Sequence, residues 1–154
     1  KMGNGLYYVS PGPAKECVLK AQMEMDGMRY YLGDRLFRVL AIENPYASVG
    51  EYSGGDITIQ YLLEQGGITV RNNISAEFEI KFEVVSFTMI FLAGGGINQL
   101  MGSSSRQFTR KQKQMLESYR YAPLYFKDIK VIGPDGVIRE INGMIFSIVN
   151  EMEK

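Results

Sequence analysis

The alternation of apolar and polar residues is most regular between Ala76 and Leu92, where its phase slips once near the middle. The apolar residues before the slip have even numbers (Phe78, Ile80, Phe82, Val84), and those after it have odd numbers (Val85, Phe87, Met89, Phe91). Successive side chains on a strand point to opposite faces, so a slip of one residue moves the apolar set to the other face. Fully extended, this segment would span roughly 55 Å, far more than a usual strand. We therefore predict a strand that bulges or bends near Val84–Val85 and crosses from one sheet to another, as in an all-β sandwich.

The first part of the chain is predicted to form short strands. Residues 17–25 alternate, Asp26-Gly27 has the composition of a two-residue hairpin turn, and residues 28–32 form the returning strand. Gly33-Asp34 is predicted to turn the chain again before a strand over residues 36–42, and Asn44-Pro45 breaks the pattern. We assign residues 1–36 to the last strands of a preceding β domain, which could be incomplete, and residues 37–154 to a second domain.

Two short helices are predicted in the second domain. Thr58 can cap a helix over residues 59–65 that Gly66-Gly67 ends, although a strand over residues 57–63 is an alternative. The clearer helix begins after Thr109, because Gln112 completes a capping box and Phe108 stands where a hydrophobic staple begins. Its apolar stripe is Met115, Leu116 and Tyr119.

The remaining pattern predicts further strands. We expect an edge strand over residues 97–101, strands over 68–71, 125–132 and 137–141, and a final strand over 144–149. A type I turn at residues 133–136 and a hairpin at Asn142-Gly143 should connect the last three. The resulting fold class is mainly β: an Ig-like β-sandwich with one or two short helices.

Composition excludes several kinds of chemistry. The chain has 17 basic and 17 acidic residues, so no net field would attract nucleic acid or anionic lipid. It contains no histidine and one cysteine, which excludes a Ser-His-Asp triad, a His/Cys zinc site and an intrachain disulfide. Cys17 is expected to be buried among apolar neighbours. The longest apolar run, residues 84–93, is about half of a membrane helix. No basic-then-apolar signal peptide opens the sequence at Lys1, so we expect a protein that is either cytoplasmic or exported by a segment upstream of Lys1.

The candidate functional residues are few. Glu77, Glu79 and Glu83 could bind calcium or act as acid and base, but regular alternation favours a solvated strand face. The segment 106–120 is strongly basic, and two of its cations fall in the first helical turn, where the helix dipole opposes them. An ordinary solvated helix is the simpler interpretation, and contact with an acidic protein surface, which could include another copy's glutamates, is the functional one. Tyr119 and Tyr121 flank Pro123 and resemble the amphipathic aromatic residues of protein interfaces, although packing in the core or on the sheet is the simpler interpretation. The candidate protein interface is Arg106, Arg110, Lys111, Lys113, Tyr119 and Tyr121.

Several motifs occur in an order typical of one family. They are Phe37-Arg38-Val39 with Asn44-Pro45, Gly54-Gly55, Gly66-Gly67-Ile68, the strand Phe78–Phe87 with its phase slip, Gln107-Phe108-Thr109, and Gly133-Pro134-Asp135-Gly136. Together, over about residues 37–149, they resemble the last periplasmic domain of the GldM/PorM gliding-motility proteins of Bacteroidetes.

That resemblance implies a non-enzymatic module of the gliding-motility and type IX secretion machinery. Its members are anchored in the inner membrane by an upstream helix and extend into the periplasm as a dimeric rod of stacked β domains. The rod links a motor to an outer-membrane-associated ring. The implied partners are a second copy and these subunits, with no cofactor, no metal and no nucleic acid. The alternatives are a carbohydrate- or ligand-binding β-sandwich of a surface or lipoprotein system, and a glycoside hydrolase-like enzyme with two convergent carboxylates.

Overall fold

A computed structural model of the chain describes residues 7, 9, 15–39, 42–72, 80–92, 98–119 and 123–150. The chain divides into two compact units, Lys1–Ile42 and Glu43–Lys154. This division lies a few residues beyond the boundary expected after residue 36. The assignment of the first unit to a preceding β domain stays a prediction.

In its described residues, the first unit contains one long hairpin. Strands β1 (Glu16–Met25) and β2 (Met28–Arg38) pair antiparallel. The predicted turn at Asp26-Gly27 is confirmed, and its φ angles of 51° and 76° are those of a primed hairpin turn. The second turn predicted at Gly33-Asp34 is wrong, because β2 continues through it and reaches Arg38. The pairing shifts by one residue at Ala21/Gln22, so the glycine serves a bulge within the strand.

In its described residues, the second unit contains eight strands and two helices. The strands are β3 (Tyr46–Ser48), β4 (Gly55–Thr58), β5 (Thr69–Arg71), β6 (Glu83–Leu92), β7 (Asn98–Ser103), β8 (Pro123–Ile132), β9 (Ile138–Ile141) and β10 (Met144–Val149). The helices are α1 (Ile59–Gln65) and α2 (Arg110–Ser118). Both predicted helices are confirmed with their caps: Thr58 and Thr109 accept from the backbone of the first turn, and Gly66 ends α1 in the left-handed conformation. In the described part of the chain, neither helix is long or apolar enough to cross a bilayer.

The strands form a large sheet and a small one. The six-stranded sheet has the order β4-β10-β8-β6-β7, with β9 paired to β8, while β3 and β5 form a two-stranded sheet. The edge strand predicted near residues 97–101 is confirmed as β7. The fold is mainly β with open sheets, consistent with the expected β-sandwich.

The core of the second unit lies on one face of the large sheet. Phe87, Phe126 and Phe146 project from that face and are almost completely buried. Phe108 lies in the segment before α2 and contacts the rings of Phe87 and Phe126 with centroid distances of 6.0 Å. Its ring is therefore part of the core of the second unit. Other buried side chains come from α1, α2 and the small sheet, so these elements form the second layer.

The phase slip in β6 has a different cause from the one predicted. The pairing with β8 goes from Val84↔Val131 to Ser86↔Lys130, which leaves Val85 as an extra residue in β6. A bulge of one residue restores the original face, so Val84 before it and Phe87 after it both contribute to the same core. The irregularity near Val84–Val85 is confirmed, but the described part of this strand stays in one sheet. Glu83 and Val84 already pair with β8, so the chain does not change sheets at Val84–Val85. Residues 76–79 of the predicted strand lie outside the described residues, and a crossing before Glu83 stays a prediction.

The neighbouring strands show a comparable phase change, along β8 and again between β9 and β10, where the buried positions change from Ile141 to Met144. In β8 the buried positions change from Phe126 to Ile129, and the extra residue, Asp128, has a positive φ of 52°. The next pair of strands, β9 and β10, lie one after the other along the same side of β8. Asn142-Gly143 connects them in line, so the hairpin predicted there is wrong. A Cβ on Gly143 would collide with the carbonyl oxygen of Phe126, which explains the glycine.

The predicted turn at residues 133–136 is confirmed between β8 and β9. Asp135 Oδ1 accepts hydrogen bonds from the Val137 amide at 3.1 Å and from the Arg139 guanidinium at 2.9 Å. Of the acidic residues singled out in the sequence, Glu83 is exposed, and Glu77 and Glu79 lie outside the described residues. The triple glycine at residues 94–96 also lies outside them.

Candidate functional site

The N-terminus of α2 is held by a complete capping box. Thr109 Oγ1 accepts from the Gln112 amide at 3.2 Å, and Gln112 Oε1 accepts from the Thr109 amide at 2.8 Å. The spacing Thr-x-x-Gln allows this exchange because the first and fourth residues face each other across the first helical turn. The orientation of α2 at its start is therefore fixed by local sequence.

Gln112 also joins α2 to the edge of the large sheet. Its side chain is fully buried, and Nε2 donates to the carbonyl oxygen of Met101 in β7 at 2.8 Å. Nearby, Ser103 Oγ donates to the Gln107 carbonyl at 2.7 Å. These contacts place the beginning of α2 directly beside β7. The sequence showed the capping role of Gln112 but gave no sign of this second contact.

Four of the predicted interface residues form an exposed basic cluster, which we define as Arg106, Arg110, Lys111 and Lys113. All four side chains are exposed. Within the described ranges, none makes an ion pair or a side-chain hydrogen bond. Three of them lie in the first turn or just after it, where the positive end of the helix dipole disfavours cations. The cluster is thus electrostatically unfavourable for the isolated fold.

An open groove lies where the start of α2 meets β7. It has a volume of about 540 Å³ and is lined by Leu100, Met101 and Gly102 from the strand and by Thr109, Arg110 and Lys111 from the helix. Leu100 is 59% exposed, which is high for a leucine on a strand. The groove therefore combines two cations, an apolar side chain and the backbone of an edge strand.

Tyr119 does not belong to this surface. It is only 7% exposed, and its ring contacts Phe91 edge-on with the centroids 5.1 Å apart. Its hydroxyl accepts from the Leu92 amide and donates to the Pro123 carbonyl, both at 2.8 Å. Burial raises the pKa of this hydroxyl, and the Leu92 amide opposes that rise. The assignment of Tyr119 to an exposed interface is therefore corrected, and Tyr121 lies outside the described residues.

The second unit also has a larger open depression. It lies between α1 and the end of β10, has a volume of about 690 Å³, and contains the carboxylates of Glu64 and Glu117 in its lining. Gln60 Nε2 donates to Glu64 at 2.9 Å. None of the described residues that line it is aromatic, so it lacks the flat ring surface that sugar sites favour.

Asp135 and Arg139 form an ion pair that stabilises the turn at residues 133–136. The hydrogen bond from Arg139 lowers the pKa of Asp135 to about 2. The Arg139 guanidinium also lies 5.8 Å from the centroid of the Phe82 ring, so the pair fastens the 133–136 turn to the sheet. Over the residues that the structure describes, no three His, Cys, Asp or Glu side chains are grouped as metal ligands would be.

Comparison with known protein families identifies the second unit. Residues 43–150 match the sequence model described as the GldM C-terminal domain. This range contains all of the strands and helices of the second unit and most of the segment whose motifs resembled that family. Comparison with curated proteins found no significant match. The family model covers well over half of the chain, and the chain therefore belongs to the GldM C-terminal domain family.

Proposed function

We propose that this chain is a non-enzymatic structural and docking module of a gliding-motility and type IX secretion machine. In this proposal it lies in the periplasm, is anchored to the inner membrane through an upstream segment, and forms a homodimeric rod that passes force to partner subunits. One observation carries the proposal: the family match over residues 43–150, which places the second unit among gliding-motility domains.

The packing of the second unit supports a mechanical role. Phe108 of the second layer stacks on Phe126 of the sheet, and Phe126 in turn meets Phe146 edge-on at 5.8 Å. Interlocked rings of this kind have few ways to slide past one another, and close-packed interiors transmit strain with little compression. A load applied to the helical layer would therefore reach the large sheet with little loss.

The basic cluster supports a docking role. Its exposed cations have no ion pair within the described residues, and three of the four lie on a helix whose start is capped. Unpaired surface charge of one sign steers the encounter with a partner of opposite sign and restricts its orientation. An acidic surface on another subunit is the complementary partner.

We extend the proposal to the first unit, as the closing hairpin of a preceding β domain. On one face of the hairpin the cross-strand pairs Cys17↔Phe37, Met23↔Tyr30 and Met25↔Met28 are mostly exposed. A two-stranded hairpin is marginally stable alone, and an apolar face of this size normally packs against another layer. Further strands of such a domain would provide that layer.

The single cysteine allows this extension to be tested. Cys17 lies on the apolar face and is partly exposed, so its thiol should react with a maleimide at a measurable rate in this chain. In the full-length protein, strands covering the face should slow that reaction strongly. Equal rates in both proteins would contradict the extension, and protection that grows with the concentration of this chain would indicate a second copy as the cover.

The main proposal is tested by affinity capture from an envelope extract with the full-length protein. We expect mass spectrometry to identify subunits of the motor and of the outer-membrane-associated ring. The variant Arg110→Glu/Lys111→Glu should recover less of its docked partner than a control, Lys127→Glu/Lys130→Glu, which makes the same charge change on exposed residues of β8. Recovery of glycans alone would contradict the proposal.

The dimer is tested separately. Size-exclusion chromatography with light scattering on the full-length periplasmic region should give the mass of two chains. A strictly monomeric mass at all concentrations would remove the rod from the proposal while leaving docking intact.

A further inference from the structure

The outer edge of β7 is open. The strand pairs with β6 on one side, and within the described ranges no strand lies on its other side. An edge strand presents a row of unpaired backbone N–H and C=O groups, which natural proteins usually cover or protect. At Gly102 a Cβ would meet nothing within 4 Å, so the sheet face beside this part of the edge is open as well.

The groove beside this edge has a fixed position relative to the basic cluster. Gln112 connects the first turn of α2 to the Met101 carbonyl, and the capping box fixes the helix that carries Arg110 and Lys111. Both cations line the same groove as Leu100, Met101 and Gly102. A segment lying along β7 would therefore pass between the strand edge and two preorganised cations.

The charge of residues 106–113, beside the groove, indicates which kind of occupant would bind there. Residues 106–113 contain four cations and no acidic residue, and none of these cations has an ion pair within the described residues. Carboxylates placed here would form charge-assisted hydrogen bonds and relieve the repulsion between the cations and the helix dipole. A peptide backbone, unlike a nucleic acid, can also complete the hydrogen-bond ladder of a strand edge.

We propose that β7 and the basic cluster form a binding site for an extended acidic segment of another protein. The segment adds to the large sheet as a new strand beside β7, and its carboxylates contact Arg110 and Lys111. This inference rests on the proposed function only in that the chain docks to a protein; it specifies the surface, the binding mode and the chemistry of the partner segment.

The test uses a fluorescein-labelled peptide of about ten residues, the length of a typical long strand, in which Glu alternates with Val and Thr. A second peptide has the same charge but two central prolines, which remove backbone donors and prevent strand pairing. Fluorescence anisotropy at low salt should show binding of the first peptide, with the proline peptide weaker by about tenfold or more. Hydrogen exchange should show new protection at β7 amides and none at β4, the opposite edge.

Matched variants separate this site from general attraction. Arg110→Glu/Lys111→Glu should weaken the first peptide by about tenfold or more, whereas Lys127→Glu/Lys130→Glu should change it by less than about twofold. Equal binding of the two peptides would show that charge alone acts and would overturn the inference. Equal losses in both variants, absence of β7 protection, or equally tight binding of an oligo-dT strand would also overturn it. Failure of these assays with successful capture of machine subunits would refute this site and leave the proposed function standing.

Discussion

Gln112 gives the sharpest test of how the second unit is held together, because one buried side chain serves both as a helix cap and as a link to the sheet. We consider Gln112→Glu, which keeps the size of the side chain. Its carboxylate can still accept from the Thr109 amide, as Gln112 Oε1 does at 2.8 Å. It has no hydrogen to donate to the Met101 carbonyl, which in the parent chain accepts from Gln112 Nε2 at 2.8 Å. At neutral pH the variant therefore places a negative charge against a carbonyl oxygen in a fully buried site.

The size of the effect follows from the pKa of the new carboxyl group. An ordinary glutamate has a pKa of about 4.3, and complete burial can raise the pKa by about 3–5 units. The Thr109 amide and the positive end of the helix dipole oppose that rise. A net rise of about 2 units lowers the free energy of unfolding at neutral pH by about 2.7 kcal/mol, since each unit corresponds to about 1.36 kcal/mol. For a chain of this length that is a fall in Tm of about 5–11 °C.

The pH dependence has a definite sign. Because the pKa is higher in the folded state than in the unfolded state, the protonated form is favoured on folding, and its hydroxyl can donate to Met101. The stability of Gln112→Glu relative to the parent should therefore be greatest below about pH 4 and should fall as the pH rises towards about 6. Thermal unfolding followed by near-UV circular dichroism at several pH values measures this.

Gln114→Glu is the matched control, because Gln114 is exposed on the same helix. We expect it to stay within about 0.5 kcal/mol of the parent at every pH, as surface substitutions usually do. A Gln112→Glu protein as stable as this control at neutral pH would refute the reasoning. A stability difference that did not change with pH would show that lost packing, and not charge, is the cause.

Three further predictions concern other parts of the second unit. Tyr119→Phe removes both hydrogen bonds of a buried hydroxyl and should lower the free energy of unfolding by about 1–3 kcal/mol in urea denaturation; an unchanged midpoint would contradict its structural role. Gly143→Ala should destabilise by more than about 1 kcal/mol, because its Cβ meets the Phe126 carbonyl, whereas Gly102→Ala has open space and should not; equal thermal stability of the two variants would contradict this. Asp135 has its pKa lowered in the folded state, so its stabilising effect is present above about pH 4 and is lost as the pH falls towards 2. Asp135→Asn should remove that acid-side loss in a pH series of unfolding curves, and an unchanged acid profile would assign the loss to other carboxylates.

Local signals in the sequence were sufficient for the helices. Thr109 and Gln112 exchange hydrogen bonds within one turn, so their spacing alone determines the capping box. The same holds for Gly66, whose left-handed conformation ends α1. The exposed cations of the basic cluster were also identifiable, because a run of charges on a short helix is almost always solvated.

Contacts between distant parts of the chain were not visible in the sequence. Tyr119 had two interpretations, an amphipathic interface residue beside Pro123 or a packed residue, and nothing in the sequence indicated that its hydroxyl bonds to Leu92, 27 residues away. The slip at Val84–Val85 was visible, but a bulge within one sheet and a crossing between sheets produce the same letters. A similar change from Leu124 and Phe126 to Ile129 and Val131 was present in β8, and it would have favoured the bulge.

The aligned irregularities of β6, β8 and the β9–β10 pair have a consequence for how this domain can vary in length. Each of these three parts of the sheet contains one additional residue, and the three additions lie close to one another. The apolar side chains on either side of the additions therefore face the same core only when all three additional residues are present. Deleting Val85 alone would shift the alternation of the rest of β6 by one residue. Phe87 and Phe91 would then face solvent, while the neighbouring strands kept their register. Insertions and deletions among relatives are therefore expected in the loops, or in β6, β8 and the β9–β10 pair together.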